Sequence, residues 1–126
     1  MILGTGLDLV EVMRIAEIIQ KHGDRFLNRV FTEAEISYSL PKAARYQHLA
    51  GRFAAKEAVF KALGTGWARG VGWKAVEVVS TGKTRPEIRL TGGARKRLHE
   101  MGGERVHLSI THTEGMAAAS AIVEGP

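Results

Sequence analysis

Residues 52–66 read RFAAKEAVFKALGTG, the second half of a long helix followed by a glycine-rich stop. On a 3.6-residue period Tyr46, Leu49, Ala50, Phe53, Glu57, Phe60 and Gly64 fall on one side, and that side is apolar apart from Glu57. A carboxylate in the middle of a core-facing stripe is costly unless it is paired, hydrogen-bonded or bound to a metal. Lys61 lies one turn on, so the plainest account is a Glu57–Lys61 helix pair, worth about 0.2–0.5 kcal/mol. Any fold for this chain must bury the helix and still accommodate Glu57.

The rest of the chain supplies strands and short helices. Residues 2–10 alternate as a strand, with Leu3, Thr5, Leu7 and Leu9 on one face and Ile2, Gly4, Gly6, Asp8 and Val10 on the other. Asp8 therefore shares a face with two glycines, which leave room for a close approach. Residues 12–22 read as a helix with Val12, Ile15, Ile19 and His22 at core spacing, ended by Gly23. Asp24 is placed to cap the short helical segment that carries Arg25 and Arg29. Thr32 and Glu35 form a capping box for a helix to about Ser39. The long helix is expected over 42–63, stopped by Gly64, Thr65 and Gly66. Beyond it a glycine-rich loop through Trp67, Arg69, Gly70 and Gly72 has the composition of an anion nest, with Lys61 one turn upstream.

Residues 73–80 alternate as a strand, 81–85 turn, and 86–90 return as its hairpin partner. A helix over 92–101, capped near Thr91, faces Ala94, Leu98 and Met101 inward. Residues 105–112 and 116–123 form the last two strands, the final one rich in alanine and suited to close packing. Hairpins with segregated helices predict an α+β fold: a single domain with a mainly antiparallel sheet packed against the long central helix.

Asp8, Glu57 and His112 are polar intrusions into apolar elements. Each has an ordinary structural role available: Asp8 as a helix cap, Glu57 in a helix pair, His112 as a strand-end histidine. Two carboxylates meeting in a core repel each other unless a cation sits between them. Two carboxylates plus waters plus a phosphate is the way Mg²⁺ is held at phosphoryl sites, and imidazole or thiolate clusters for zinc are missing from the pattern. The chain carries a net charge of +5 and no cysteine. The charge points to an acidic partner or a phosphorylated ligand. The lack of cysteine suits a reducing compartment, and the N-terminal stretch lacks a basic lead, so a cytoplasmic location is expected. Arg14, Lys21 and Arg25, with Met13 and Ile18 among them, form a basic face that reads either as a solvated surface or as a dock for an acidic helix. A nucleotide-binding module without catalysis would use the same anion site. Nucleic-acid binding would use the basic surface, but the aromatic side chains are scattered and no nucleic-acid motif is present.

Three segments go further. Gly4-Thr5-Gly6-Leu7-Asp8, then Arg52-Phe53-Ala54-Ala55-Lys56-Glu57-Ala58 with Lys61-Ala62-Leu63-Gly64-Thr65-Gly66, then His107-Leu108-Ser109-Ile110-Thr111-His112 resemble the three motifs of the holo-[acyl-carrier-protein] synthase family of bacterial 4′-phosphopantetheinyl transferases. The resemblance spans the chain, 1–126, as one transferase domain, and is loosest from about Gly82 to Arg105. It implies transfer of the 4′-phosphopantetheine arm of coenzyme A to a serine of apo acyl carrier protein, releasing adenosine 3′,5′-bisphosphate, in fatty acid biosynthesis. Carried over by motif, Asp8 and Glu57 bind Mg²⁺, and Lys61 contacts the phosphates. Arg52, Gly64, Thr65, Gly66 and His112 help hold coenzyme A. Glu57, a metal-bound water and His112 are all arguable as the group that takes the serine proton. The resemblance also favours Arg14, Ile18, Lys21 and Arg25, with Arg45, as the docking surface for the acidic carrier, and implies a homotrimer with active sites between subunits.

Overall fold

The structure, a computed structural model, describes residues 1–65, 71–80 and 83–126. Gly66, Trp67, Arg69 and Gly70 of the proposed anion nest, and Thr81 and Gly82 of the expected turn, lie outside the described residues. In chain order the elements are β1 (Ile2–Glu11), α1 (Val12–His22), α2 (Asp24–Val30), α3 (Glu33–Ser39), α4 (Arg45–Leu63), a 3₁₀ turn (Trp73–Ala75), β2 (Val76–Val79), β3 (Glu87–Leu90), α5 (Gly92–Glu100), β4 (Arg105–His112) and β5 (Met116–Glu124). Among them β1, β5 and β4 make one antiparallel sheet in that order, and β2 pairs antiparallel with β3 in a second. The α+β expectation holds.

Small residues let α4 lie directly on the larger sheet. Ala117, Ala119 and Ala121 of β5 are buried, as are Ala50, Ala54, Ala55, Ala58 and Ala62 of α4. The contact with β1 is closer still. A β-carbon on Gly6 would sit 1.8 Å from the Ala58 carbonyl oxygen, and one on Gly4 would sit 2.1 Å from that of Ala62. At the other end of the helix a β-carbon position at Gly51 already meets Ile110 Cγ2 of β4 at 3.0 Å. So α4 crosses from β4, near its start, to β1, near its end.

Several expectations need correction. The apolar stripe on α4 is too narrow a description, because Ala54, Ala55, Lys56, Ala58, Val59, Ala62 and Leu63 are buried as well. A helix hydrophobic nearly all round is one enclosed on most sides. The helix begins at Arg45 rather than residue 42 and has no side-chain N-cap bond. Residues 73–75 form the 3₁₀ turn, so the strand there is confined to Val76–Val79. The Trp73 ring stacks on Phe53 at 5.2 Å between centroids and meets Phe60 edge-on at 5.3 Å. His22 is exposed, and Ala16 fills the core beside Val12, Ile15 and Ile19. Asp24 is the first residue of α2, whose cap position is Gly23, and neither Gly23 nor Thr91 makes a side-chain capping bond. The capping box is present: the Glu35 N–H donates to Thr32 Oγ1 at 3.2 Å and the Thr32 N–H to Glu35 Oε1 at 2.8 Å. Gly64 ends α4 in the left-handed conformation at φ 72°, which a side chain would disfavour.

Candidate active site

The approach of β1 to α4 decides what Asp8 can reach. With Gly6 pressed on Ala58, the next residue on that face, Asp8, comes alongside the helix turn that carries Glu57 and Lys61. Lys61 Nζ donates to Asp8 Oδ1 at 3.1 Å and to the Leu7 carbonyl at 2.9 Å. The expected Glu57–Lys61 pair is thus replaced by a bridge from helix to strand. The Asp8 side chain is 17% exposed and that of Lys61 52%, so the bridge is a wall open to water.

Asp8 and Glu57 both line a cavity of about 290 Å³, together with Val10, Arg14, Ile18 and Phe53. The Glu57 carboxyl is held above the usual glutamate range, by burial first and then by the neighbouring Asp8 charge, while Lys61 opposes the shift. Two acids this close, one reluctant to ionise, form a donor set that a hard cation would stabilise. Among the described residues no group of three or more His, Cys, Asp or Glu side chains converges. A cation here would take two protein carboxylates and complete its shell from water and ligand oxygens, which suits Mg²⁺ better than a metal that needs an all-protein cage.

Arg52 and His112 converge on a second cavity of about 190 Å³, with Tyr38, His48, Ser80 and Pro86. Arg52 is buried and lies over the Tyr38 ring, 4.3 Å from its centroid, and one guanidinium nitrogen donates to the His48 carbonyl at 3.4 Å. Lys42 Nζ lies 4.2 Å from the same ring centroid. The His48 and His112 rings meet edge-on at 5.5 Å. Burial, then the charges of Arg52, His112 and Lys42, push His48 below its ordinary value. Cationic groups crowd the cavity, and among the described residues no acid lines it. Arg52 Nε and Thr65 Oγ1 are buried without a hydrogen-bond partner among the described residues. Arg52, His48 and His112 around this cavity suit an anion with several oxygens, while Thr65 lies beyond the far end of α4.

Tyr38, Lys42 and His48 were not singled out in the sequence. His48 had a usable signal, since it precedes Arg52 by one helical turn and shares its face. The Asp8–Glu57–Lys61 group and the Arg52–His112 group stand on different sides of α4: Arg52 is rotated by roughly 140° from Glu57 and roughly 180° from Lys61 at 100° per residue. Along α1, Arg14 and Ile18 reach the first cavity, and Lys21 and Arg25 are exposed nearby in sequence. Arg45 is exposed at the start of α4, about 18 Å of helix from Glu57.

A family model described as the 4′-phosphopantetheinyl transferase superfamily matches residues 4–113. A holo-[acyl-carrier-protein] synthase of Koribacter versatilis is 52% identical over 124 residues, covering 98% of this chain and 99% of that protein. Among solved structures, the holo-[acyl-carrier-protein] synthase of Neisseria meningitidis superimposes with a TM-score of 0.87 at 35% identity, over 98% of this chain and 99% of that one. The Bacillus anthracis synthase in complex with CoA (3′,5′-ADP) superimposes at 0.81 and 33% identity, over 100% of this chain and 99% of that one.

Proposed function

The chain belongs to the 4′-phosphopantetheinyl transferase superfamily, and from that premise we propose how its residues perform the reaction of a holo-[acyl-carrier-protein] synthase. The enzyme transfers the phosphopantetheine arm of coenzyme A to a serine of apo acyl carrier protein and releases adenosine 3′,5′-bisphosphate. The observation that carries the site assignment is the Asp8–Glu57 cavity, lined by Arg14 and Ile18 of the basic helix, with Lys61 donating to Asp8 at its edge.

In the step, the serine hydroxyl oxygen forms a bond to the β-phosphorus of coenzyme A. The bond from that phosphorus to the bridging oxygen breaks, and the electron pair leaves with adenosine 3′,5′-bisphosphate. Lys61 offsets the charge that gathers on the phosphate oxygens, and the chain otherwise acts by holding the reactants in line. Asp8 and Glu57 would hold Mg²⁺, which when bound supplies further neutralisation of the pyrophosphate. A Glu57 carboxylate oxygen that does not hold the metal would take the serine proton. Arg52 and His112, with Thr65, Gly64 and Gly66, would hold the phosphates and nucleoside of coenzyme A. His112 would reach the reaction only from the far side of α4.

That separation supports a homotrimer whose active sites lie between subunits: the Asp8 group of one chain would face the Arg52 group of the next. The outer sheet face supports it too, since Leu7 and Leu9 are 68% and 64% exposed there. Arg14, Ile18, Lys21 and Arg25, with Arg45, would receive the acidic carrier. A place in the cytoplasm and in fatty acid biosynthesis follows from this substrate. Among the described residues no helix is long and apolar enough to cross a membrane.

Mass spectrometry tests the reading. With coenzyme A and Mg²⁺, the protein should add about 340 Da to an apo carrier, the mass of the transferred arm. Asp8→Ala and Glu57→Ala should each abolish the gain while circular dichroism stays that of the parent. Full activity in either variant would remove the site assignment.

A further inference from the structure

Lys56 precedes Glu57 in sequence but points elsewhere. Its side chain is fully buried, as is that of Glu35, and the two meet at 2.8 Å. Lys56 Nζ also donates to the Trp73 carbonyl at 3.1 Å and to the Val76 carbonyl. Glu35 is equally occupied: Oε1 accepts from the Thr32 N–H and Oε2 from the Val78 N–H at 2.8 Å. One ammonium thus has three acceptors, and one carboxylate ties α3 to β2.

A buried ion pair of this kind is weak evidence for stability, because apolar residues of the same volume often serve as well or better. What this pair does that apolar residues would not is grip particular backbone carbonyls. The gripped residue is Trp73, whose ring stacks on Phe53. Phe53 in turn lines the cavity that holds Asp8 and Glu57. The path from Lys56 to the cavity runs through one carbonyl and two rings, on a short 3₁₀ turn otherwise held by the Ala75 N–H on the Gly72 carbonyl at 3.1 Å and by the Thr91 N–H on the Ala75 carbonyl at 2.9 Å.

We propose that Lys56 is a positioning residue for phosphopantetheine transfer: by holding the Trp73 carbonyl it fixes the Trp73 ring against Phe53, and so fixes one wall of the Asp8–Glu57 cavity. This rests on the assignment of that cavity as the reaction site. Lys56 touches no substrate; it acts through Trp73 and Phe53. Nothing in the motif match assigns it that role, and its neighbour Glu57 draws the chemistry.

The test begins with Trp67→Phe, which leaves Trp73 as the sole tryptophan. In that background Lys56→Met is combined with Glu35→Gln, because Lys56→Met alone strands a buried carboxylate. Acrylamide quenching of Trp73 fluorescence, the melting curve, and kcat and KM for coenzyme A are compared with the parent. The expected result is a folded double variant with Trp73 quenched at least about twofold more readily. Its kcat should be lower by about tenfold, and its KM for coenzyme A within about threefold of the parent, as for a misplaced wall rather than a lost ligand contact. A folded double variant with the parental kcat would overturn the proposal, whether or not its melting temperature falls. If the double variant does not fold, Trp73→Leu in the native background decides. It keeps the carbonyl for Lys56 and removes the ring, so the same loss of kcat is expected, and an unchanged kcat would refute the positioning role. Failure of the wild-type chain to transfer any arm would sink the assignment of the cavity, whereas the quenching measurement reads the grip of Lys56 independently of activity.

Discussion

Glu57 holds its proton more tightly in the folded chain than in the unfolded one, because burial and the Asp8 charge both disfavour its ionised form. A raised folded-state value means that the native protein binds more protons than the unfolded chain across that window. Its contribution to stability therefore falls as pH rises from the ordinary carboxylate range through the raised value. Glu57→Gln should consequently melt higher than the wild type in EDTA at neutral pH, and the gap should close toward about pH 4. Added Mg²⁺ should raise the wild-type melting temperature and leave Glu57→Gln nearly unmoved. A variant that melts lower at neutral pH would contradict this account. Asp8 and Glu57 were legible in the sequence because an acid on an apolar face is conspicuous in either a strand or a helix. The partner of Lys61 was not, since helical spacing offers Glu57 and is silent about the strand that lies alongside. The Lys56–Glu35 pair was hidden for a similar reason: each charge has an ordinary local reading, one on a helix surface and one in a capping box.

At the scale of elements, the placement of β1 on α4 positions the site, and two glycines permit it. A methyl group at residue 6 would sit inside contact distance of the Ala58 carbonyl, which cannot move without unwinding the turn from Ala58 to Ala62, the one that carries Lys61. Gly6→Ala should cost about 3 kcal/mol or more, at the upper end of overpacking penalties. Denaturant unfolding would measure it, and a loss below about 1 kcal/mol would show that strand and helix separate easily. Period-two and period-3.6 patterns identified nearly every element, because strands with one covered face and helices with one covered stripe obey them. They failed where covering is more complete or the piece is shorter. Enclosed on most sides, α4 has no single stripe. The turn at Trp73–Ala75 mimics the start of a strand because Trp73 points inward to Phe53 and Phe60. His22, at the last turn of α1, kept the spacing of the core but extends past it.

For the whole molecule, the sheet has one face on α4 and one without a cover among the described residues. Leu7 lines a shallow depression there with Ser109, Thr111, Ala118 and Ser120. If active sites form between chains, their two halves can be damaged separately. Asp8→Ala removes one half, and Arg52→Met removes the other while keeping most of the side-chain volume. Each homogeneous variant should be inactive, yet the two co-expressed in equal amounts should recover about a quarter of the wild-type rate by random pairing around a closed ring. A mixture that remains inactive would place each site within a single chain. The position of α4 between the two groups then has a hereditary reading. Lesions on opposite sides of this one helix would behave as separate complementation groups of one gene, and a cell carrying both damaged alleles would make holo-carrier where either allele alone makes none.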